Sequence, residues 1–170
     1  MKKIGAFVGK FLPPHIGHLS VIDNAIKFCD ELYVVISEHK SKNEAICKRD
    51  NFPCISAELR KKWFEKHYAG IKNVHFVILN EGELKAYPDD LDKWTVKFNE
   101  LVPNANIKLA DESYRKFNEE YFPQCKFVPI ERDKIPVHST NIRQEPHKYM
   151  EYIIPEAKAD LKKLLGRKSI

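Results

Sequence analysis

Residues 4–18 read Ile4-Gly5-Ala6-Phe7-Val8-Gly9-Lys10-Phe11-Leu12-Pro13-Pro14-His15-Ile16-Gly17-His18. The first six form an apolar run with no polar alternation, the pattern of a strand buried on both faces. Leu19, Ile22, Ile26 and Cys29 then recur at steps of three, four and three, which draws one face of a helix. Between strand and helix lies a short loop stiffened by two prolines. A doubly buried strand that turns into an amphipathic helix opens a parallel α/β unit.

The rest of the chain repeats that alternation. Leu32-Tyr33-Val34-Val35-Ile36 is a second apolar strand. Residues 38–55 carry Lys40, Lys42, Lys48, Arg49 and Pro53 without a period and read as a basic, solvated loop. Ser56 can cap a helix that carries Leu59, Trp63 and Phe64. Residues 74–79 form a third strand, and Leu91, Trp94, Phe98 and Leu101 mark another helix. Residues 107–110 give a fourth strand, 114–122 a short helix, and 126–130 a fifth strand with Pro129 at an end or an edge. Ile154, Ala157, Leu161 and Leu164 line a last helix. Such strands alternating with helices imply a parallel sheet with right-handed crossovers. The expected fold is a Rossmann-like, doubly wound α/β sheet of about five strands. It should form a single domain over residues 1–170, with a C-terminal helical segment at about 139–168. Ligands of such sheets bind beyond the carboxyl ends of the strands, so the site should follow Gly9.

A chain of 170 residues can bury a core without disulfides or metal staples. Hydrophobic residues at 43%, with ten Phe, seven Tyr and two Trp, exclude a disordered chain. No apolar run reaches the length of a membrane span, and residues 4–9 are too short for a leader core. A cytoplasmic protein without membrane contact is expected. Cys29, Cys47, Cys54 and Cys125 make no C-x-x-C pair, so free thiols are expected and no zinc site is signalled. Lys and Arg total 29 against 24 Asp and Glu, a net +5 that suits anionic ligands. Without an aromatic–basic cluster, no nucleic-acid partner is expected.

The loop after Gly9 has the chemistry of a phosphate site. Gly9 permits close backbone approach, and the following helix start presents N–H groups and a positive dipole end. His15 and His18, three apart, project to one side of its first turn beside Lys10. A tight turn with two surface histidines is the plainer reading, but six residues in one place fit a single purpose. A second segment, Val137-His138-Ser139-Thr140-Asn141-Ile142-Arg143, offers a helix cap at Ser139 and a bidentate guanidinium at Arg143. Alone it is a common cap; about 120 residues after the first segment, it gains weight.

These two segments resemble the G-x-F-x-P-x-H-x-G-H and I-S-x-T-x-I-R signatures of the nucleotidyltransferase superfamily. His138 stands where the second signature has serine. Class I aminoacyl-tRNA synthetases share the His15–His18 tetrad but carry a lysine-rich KMSKS loop, which this sequence lacks. Residues 56–64 with Arg60, the Asn80-Glu81-Gly82 and Tyr87-Pro88 segments, Trp94, Arg132 and the stretch 146–153 resemble one branch of the superfamily. That branch is the nicotinamide-mononucleotide adenylyltransferase domain of the bifunctional NAD-biosynthesis regulators of bacteria. Glu145 and Met150 replace the Asn and Trp common there, and no G-x-x-x-x-G-K-[ST] kinase loop is present.

The resemblance implies an enzyme that moves AMP from ATP to the 5′-phosphate of nicotinamide mononucleotide. His15, His18, Lys10 and Arg143 are then the catalytic set. Gly9, Phe11, Ser139, Thr140 and Arg132 bind ATP, and Trp94 and Tyr87 bind the acceptor. Mg²⁺ is expected on the ATP phosphates, with no protein metal site, and a homo-oligomer is compatible with the reading. A flat pyridinium suits the indole of Trp94, whereas a nicotinate carboxylate would need a cation beside it. Nicotinamide is therefore the preferred ring. Trp63 is read as core, and Arg60 as either a nucleotide contact or a solvated helix residue. The rivals are a sibling adenylyl- or cytidylyltransferase acting on another phosphate, such as phosphopantetheine, and a non-catalytic nucleotide-binding regulator.

Overall fold

A computed structural model describes residues 1–85, 87–131 and 136–168. β1 (Ile4–Gly9) lies at the centre of a five-stranded sheet of order β3-β2-β1-β4-β5. The other strands are β2 (Glu31–Glu38), β3 (Val74–Asn80), β4 (Ile107–Ala110) and β5 (Lys126–Pro129). Every pairing is parallel, with Gly5 opposite Leu32 on one side and Ile107 on the other. The chain steps outward from β1 to β3, then returns to lay β4 against the free edge of β1. That reversal opens a crevice beyond the carboxyl ends of β1 and β4. β5 is an edge strand and ends on Pro129, whose missing N–H costs the ladder nothing there.

α1 (Ile16–Phe28), α3 (Ala57–His67) and α7 (Pro155–Lys168) cover one face of the sheet, and α4 (Leu91–Leu101) and α5 (Arg115–Tyr121) the other. The period of two sorts the strand residues between them. Val34 and Ile36 join a large core with Ile22, Phe64 and Leu161. Val35 turns the other way, into a smaller core with Phe98 and Phe122. Both faces being covered, no strand needs a polar side, which is why the runs read as unbroken. Ser56 Oγ accepts the Leu59 N–H at 3.1 Å, the expected cap of α3. Trp63 is core, and its indole N–H donates to Asp160 Oδ2 at 2.8 Å, fastening α3 to α7.

Residues 38–55 correct the sequence reading. Most of the expected loop is a helix, α2 (Lys40–Arg49), opened by His39, whose Nδ1 accepts the Lys42 N–H. Only Asn43 and Cys47 of α2 are buried, and one of these is polar, so the helix writes no apolar period. Near the end of the chain, α6 (Ser139–Gln144) and a 3-10 turn at Met150–Tyr152 precede α7. Ile153 bridges to His15, which brings this segment against the first loop. Among the described residues no helix is long and apolar enough to cross a membrane.

Candidate active site

The first loop is shaped by its own histidines. His15 is the N-cap of α1: its Nδ1 accepts the Gly17 N–H at 3.0 Å. His18 reaches back, its Nδ1 accepting the His15 N–H at 3.1 Å. The two rings stack, with centroids 3.7 Å apart. A nitrogen that accepts carries no proton, so in the neutral imidazole the proton sits on Nε2. This corrects the expectation of unpaired helix N–H groups. The Gly17 N–H is spent on His15, and the His18 and Leu19 N–H groups go to the His15 carbonyl. Both imidazoles line the cavity.

Phe11 holds the loop's bend. Its φ of 53° lies in the left-handed region, which costs a non-glycine residue about 1–2 kcal/mol. Packing offsets that cost, with the ring edge-on to Phe7, Phe64 and His18 at 5.3, 5.1 and 4.8 Å. A Cβ on Gly9 would lie 2.9 Å from this ring. What approaches Gly9 closely is therefore the Phe11 side chain.

The second segment grips the first. Ser139 is not the cap of α6; His138 is, its N–H bonded to Asn141 Oδ1 at 3.1 Å. The Ser139 hydroxyl instead donates to the Pro13 carbonyl at 3.0 Å. Arg143 donates from Nη1 to the Leu12 carbonyl at 2.7 Å, from Nε to Asp50 Oδ2 at 2.9 Å and from Nη2 to Thr140 Oγ1 at 3.2 Å. Its fork thus engages protein groups where a bidentate phosphate grip was expected. Arg49, and after it Arg143, hold the Asp50 carboxyl well below the usual carboxylate range. Arg60 follows neither sequence reading. It is fully buried and donates to the Lys10 carbonyl, to Glu38 Oε2 at 2.8 Å and to the Ser56 carbonyl at 3.3 Å.

Lys10 leaves this frame toward the crevice, its Nζ 3.4 Å from Asn43 Oδ1. Burial, and then the charge of Lys42, push its pKa down to about 8, with Glu81 pulling the other way. A bound polyphosphate would supply the charge that this crowd of cations lacks.

The crevice is a cavity of about 470 Å³. Gly9, Lys10, Phe11, His15 and His18 line it from the first segment, and Ser139, Thr140 and Arg143 from the second. Tyr87 and Trp94 line it as well, so the expected residues meet in one place. Arg132 lies outside the described residues. Tyr87 is half exposed, 5.4 Å from Tyr114. Trp94 is stacked on Phe98 at 5.5 Å, which makes it part core and part lining. Among the described residues no group of three or more His, Cys, Asp or Glu could hold a metal ion.

Sequence reasoning missed three members. Asp50 gave no signal, since its partner Arg143 lies 93 residues away. Lys108 did give one: a charged residue in a four-residue apolar strand. Its Nζ sits 5.2 Å from the centre of the Trp94 ring, a basic group beside the indole that the sequence reading had not placed there. Asn118, buried on α5, also lines the cavity.

A crevice at the switch point of a parallel sheet, with two stacked histidines at one helix start and a clamping arginine on another, is the arrangement that the nucleotidyltransferase resemblance leads one to expect. The chain belongs to the cytidylyltransferase-like family, whose model matches residues 6–145. It is 25% identical over 166 residues to the trifunctional NAD biosynthesis/regulator protein NadR of Salmonella typhimurium, covering 92% of this chain and 40% of that one. A crystal structure of NadR in complex with NR superposes with a TM-score of 0.75 at 23% identity, over 92% of this chain and 45% of that one. A bifunctional NMN adenylyltransferase/ADP ribose pyrophosphatase from Francisella tularensis, complexed with AMP and Mn ion, gives 0.70 at 21%, over 98% and 50%. The chain thus spans about half or less of the length of these proteins.

Proposed function

We propose that this protein transfers AMP from ATP to the 5′-phosphate of nicotinamide mononucleotide, releasing pyrophosphate and forming NAD, in the cytoplasm. The observation that carries the reading is the make-up of one cavity lining. It joins the cationic and imidazole groups Lys10, His15, His18 and Arg143 to the aromatic rings Tyr87 and Trp94. A dinucleotide under assembly asks for both, donors for its phosphates and a flat surface for its ring. The relatives named for NAD biosynthesis and NMN adenylyl transfer support the same acceptor.

In the reaction an oxygen of the acceptor phosphate attacks the α-phosphorus of ATP. The bond from that phosphorus to the bridging oxygen breaks, and its electrons leave on pyrophosphate. No protein nucleophile is needed; the chain positions the reactants and stabilises charge. The Nε2–H groups of His15 and His18 donate to phosphate oxygens as negative charge grows on the bridge. Lys10 follows the leaving pyrophosphate, while Arg143 keeps the loop carbonyls turned away from the anion. Mg²⁺ bound through the phosphates would neutralise part of their charge, since the described residues provide no cage for it.

Following pyrophosphate release from ATP and Mg²⁺ with candidate acceptors tests the reading. Nicotinamide mononucleotide should support turnover. Release only with phosphopantetheine or a sugar phosphate would overturn it. Trp94→Ala should weaken the acceptor by roughly three- to thirtyfold, the range of one cation–π contact, with ATP affinity nearly unchanged. Loss of stability without that selective effect would make Trp94 core alone.

A further inference from the structure

Lys108 pairs in register with Ala6 and belongs to the α4–α5 side of the sheet. It is 2% exposed. Its Nζ stands 3.8 Å from the ring centre of Phe122, 4.3 Å from Phe98, 5.2 Å from Trp94 and 5.8 Å from Phe117. The rings attract the cation through their faces but accept no conventional hydrogen bond from it. Among the described residues no group takes a hydrogen bond or forms an ion pair with this ammonium. On α5, directly after Phe117, Asn118 is 3% exposed. Its Nδ2 donates to the Tyr114 carbonyl at 2.9 Å, which fixes the orientation of the amide. Its Oδ1 is left buried without a partner. Lys108 and Asn118 both line the cavity.

An unspent donor ringed by Trp94, Phe98, Phe117 and Phe122, and an unspent acceptor on the residue after Phe117, both buried and both in the lining of one cavity, call for a ligand with the complementary pair. We propose that Lys108 and Asn118 read the carboxamide of the acceptor's pyridine ring, Lys108 donating to its carbonyl oxygen and Asn118 Oδ1 accepting from its N–H. This rests on the acceptor reading above and adds to it the side chains that choose the ring's substituent. Burial pushes the Lys108 pKa down to about 7, opposed only by the Cys125 thiol. Amine and ammonium both donate, so the contact survives either state. A nicotinate carboxylate would satisfy Lys108 but set a second oxygen against Asn118 Oδ1 with no proton between them. Asn118 is therefore the residue that discriminates, and Lys108 the one that holds any carbonyl.

The test is pyrophosphate release from ATP by the wild-type protein with the mononucleotides of nicotinamide, nicotinate and 3-acetylpyridine. The acetyl ring keeps the carbonyl and lacks the N–H. Its kcat/KM should fall about tenfold or more below that of nicotinamide, the consequence of leaving a buried acceptor unpaired. Asn118→Ala should erase that difference and improve nicotinate relative to nicotinamide. Lys108→Met should lower kcat/KM about tenfold for the nicotinamide and acetyl acceptors alike, while KM for ATP stays within twofold. Equal rates with nicotinamide and acetylpyridine in the wild type would overturn the proposal and leave the acceptor reading standing, whether or not the variants fold. A Lys108→Met effect on ATP instead of the acceptor would overturn it too, by placing the adenine in this lobe. Absence of turnover with all three rings would overturn the acceptor reading itself.

Discussion

His18 has a structural task beside the chemical one proposed for it. Its Nδ1 accepts the His15 N–H, and the proposed contact with phosphate falls to Nε2. His18→Ala should therefore do two separable things. Turnover should fall ~10²–10³-fold, the usual effect of losing one donor to developing charge. Stability should fall by about 0.5–2 kcal/mol, as for a lost N-terminal cap. Pyrophosphate release and thermal unfolding read the two effects, and near-normal turnover in a folded variant would reject the donor role. Lys10 carries a pH signature. With its pKa brought down to about 8, it loses its charge as pH rises through that value. The kcat/KM for ATP, which reports the free enzyme, should decline above about pH 8. Lys10→Met should be slower throughout and flat across that window; an unchanged inflection would assign it to another group. These residues were legible because they stand within ten positions of one another in one loop. Asp50, Lys108 and Asn118 were not, because each takes its meaning from groups on other elements.

Among the elements, α2 and α6 meet through Asp50 and Arg143, whose side chains are 2% and 9% exposed. Breaking such a buried pair by removing one partner typically costs about 3–5 kcal/mol, because the remaining charge is stranded. Asp50→Ala should show that loss in urea unfolding and should loosen the loop at Leu12, raising KM for ATP. A change under ~0.5 kcal/mol would mean that Arg49 and solvent already satisfy the site. The sign with pH follows from the depressed carboxyl. Its contribution is whole above the ordinary Asp value of ~3.9 and is lost as pH falls through the lower folded value. The helix that carries this pairing escaped the sequence reading for a physical reason. Periodicity detects helices by the apolar stripe they bury, and α2 buries one amide and one thiol. The strands and the helices α1, α3 and α4 were legible because their cores are apolar on the sheet-facing side.

Across the whole molecule the sheet divides labour between its faces. Leu161 on α7 is fully buried in the large core, away from the aromatic lobe. Phe122 is fully buried in the small core and carries Lys108 on its ring. Leu161→Ala should cost about 2–5 kcal/mol and leave turnover per folded molecule unchanged. Phe122→Ala should cost about 3–5 kcal/mol and also weaken the acceptor. Denaturation curves beside acceptor KM values separate the two, and an acceptor effect from Leu161→Ala would contradict the division. The strand order was legible only as a parallel sheet. Which strand lies beside β1 is decided by long-range pairing, to which a run such as residues 107–110 offers no local clue.

The clamp between the two segments joins Pro13 to Ser139 and Leu12 to Arg143, separations of 126 and 131 residues. Synthesis at ~5–20 residues per second puts the histidine loop into being roughly 7–26 s before the arginine that holds it. Through that interval the Leu12 and Pro13 carbonyls lack the partners they have in the folded protein, and a chain closure of this length must be completed before the loop is fixed. A nascent chain therefore carries the chemical groups of the site without its shape. Newly made protein should gain its hold on nucleotide in one late step, and nucleotide present at that moment should favour the final docking by mass action.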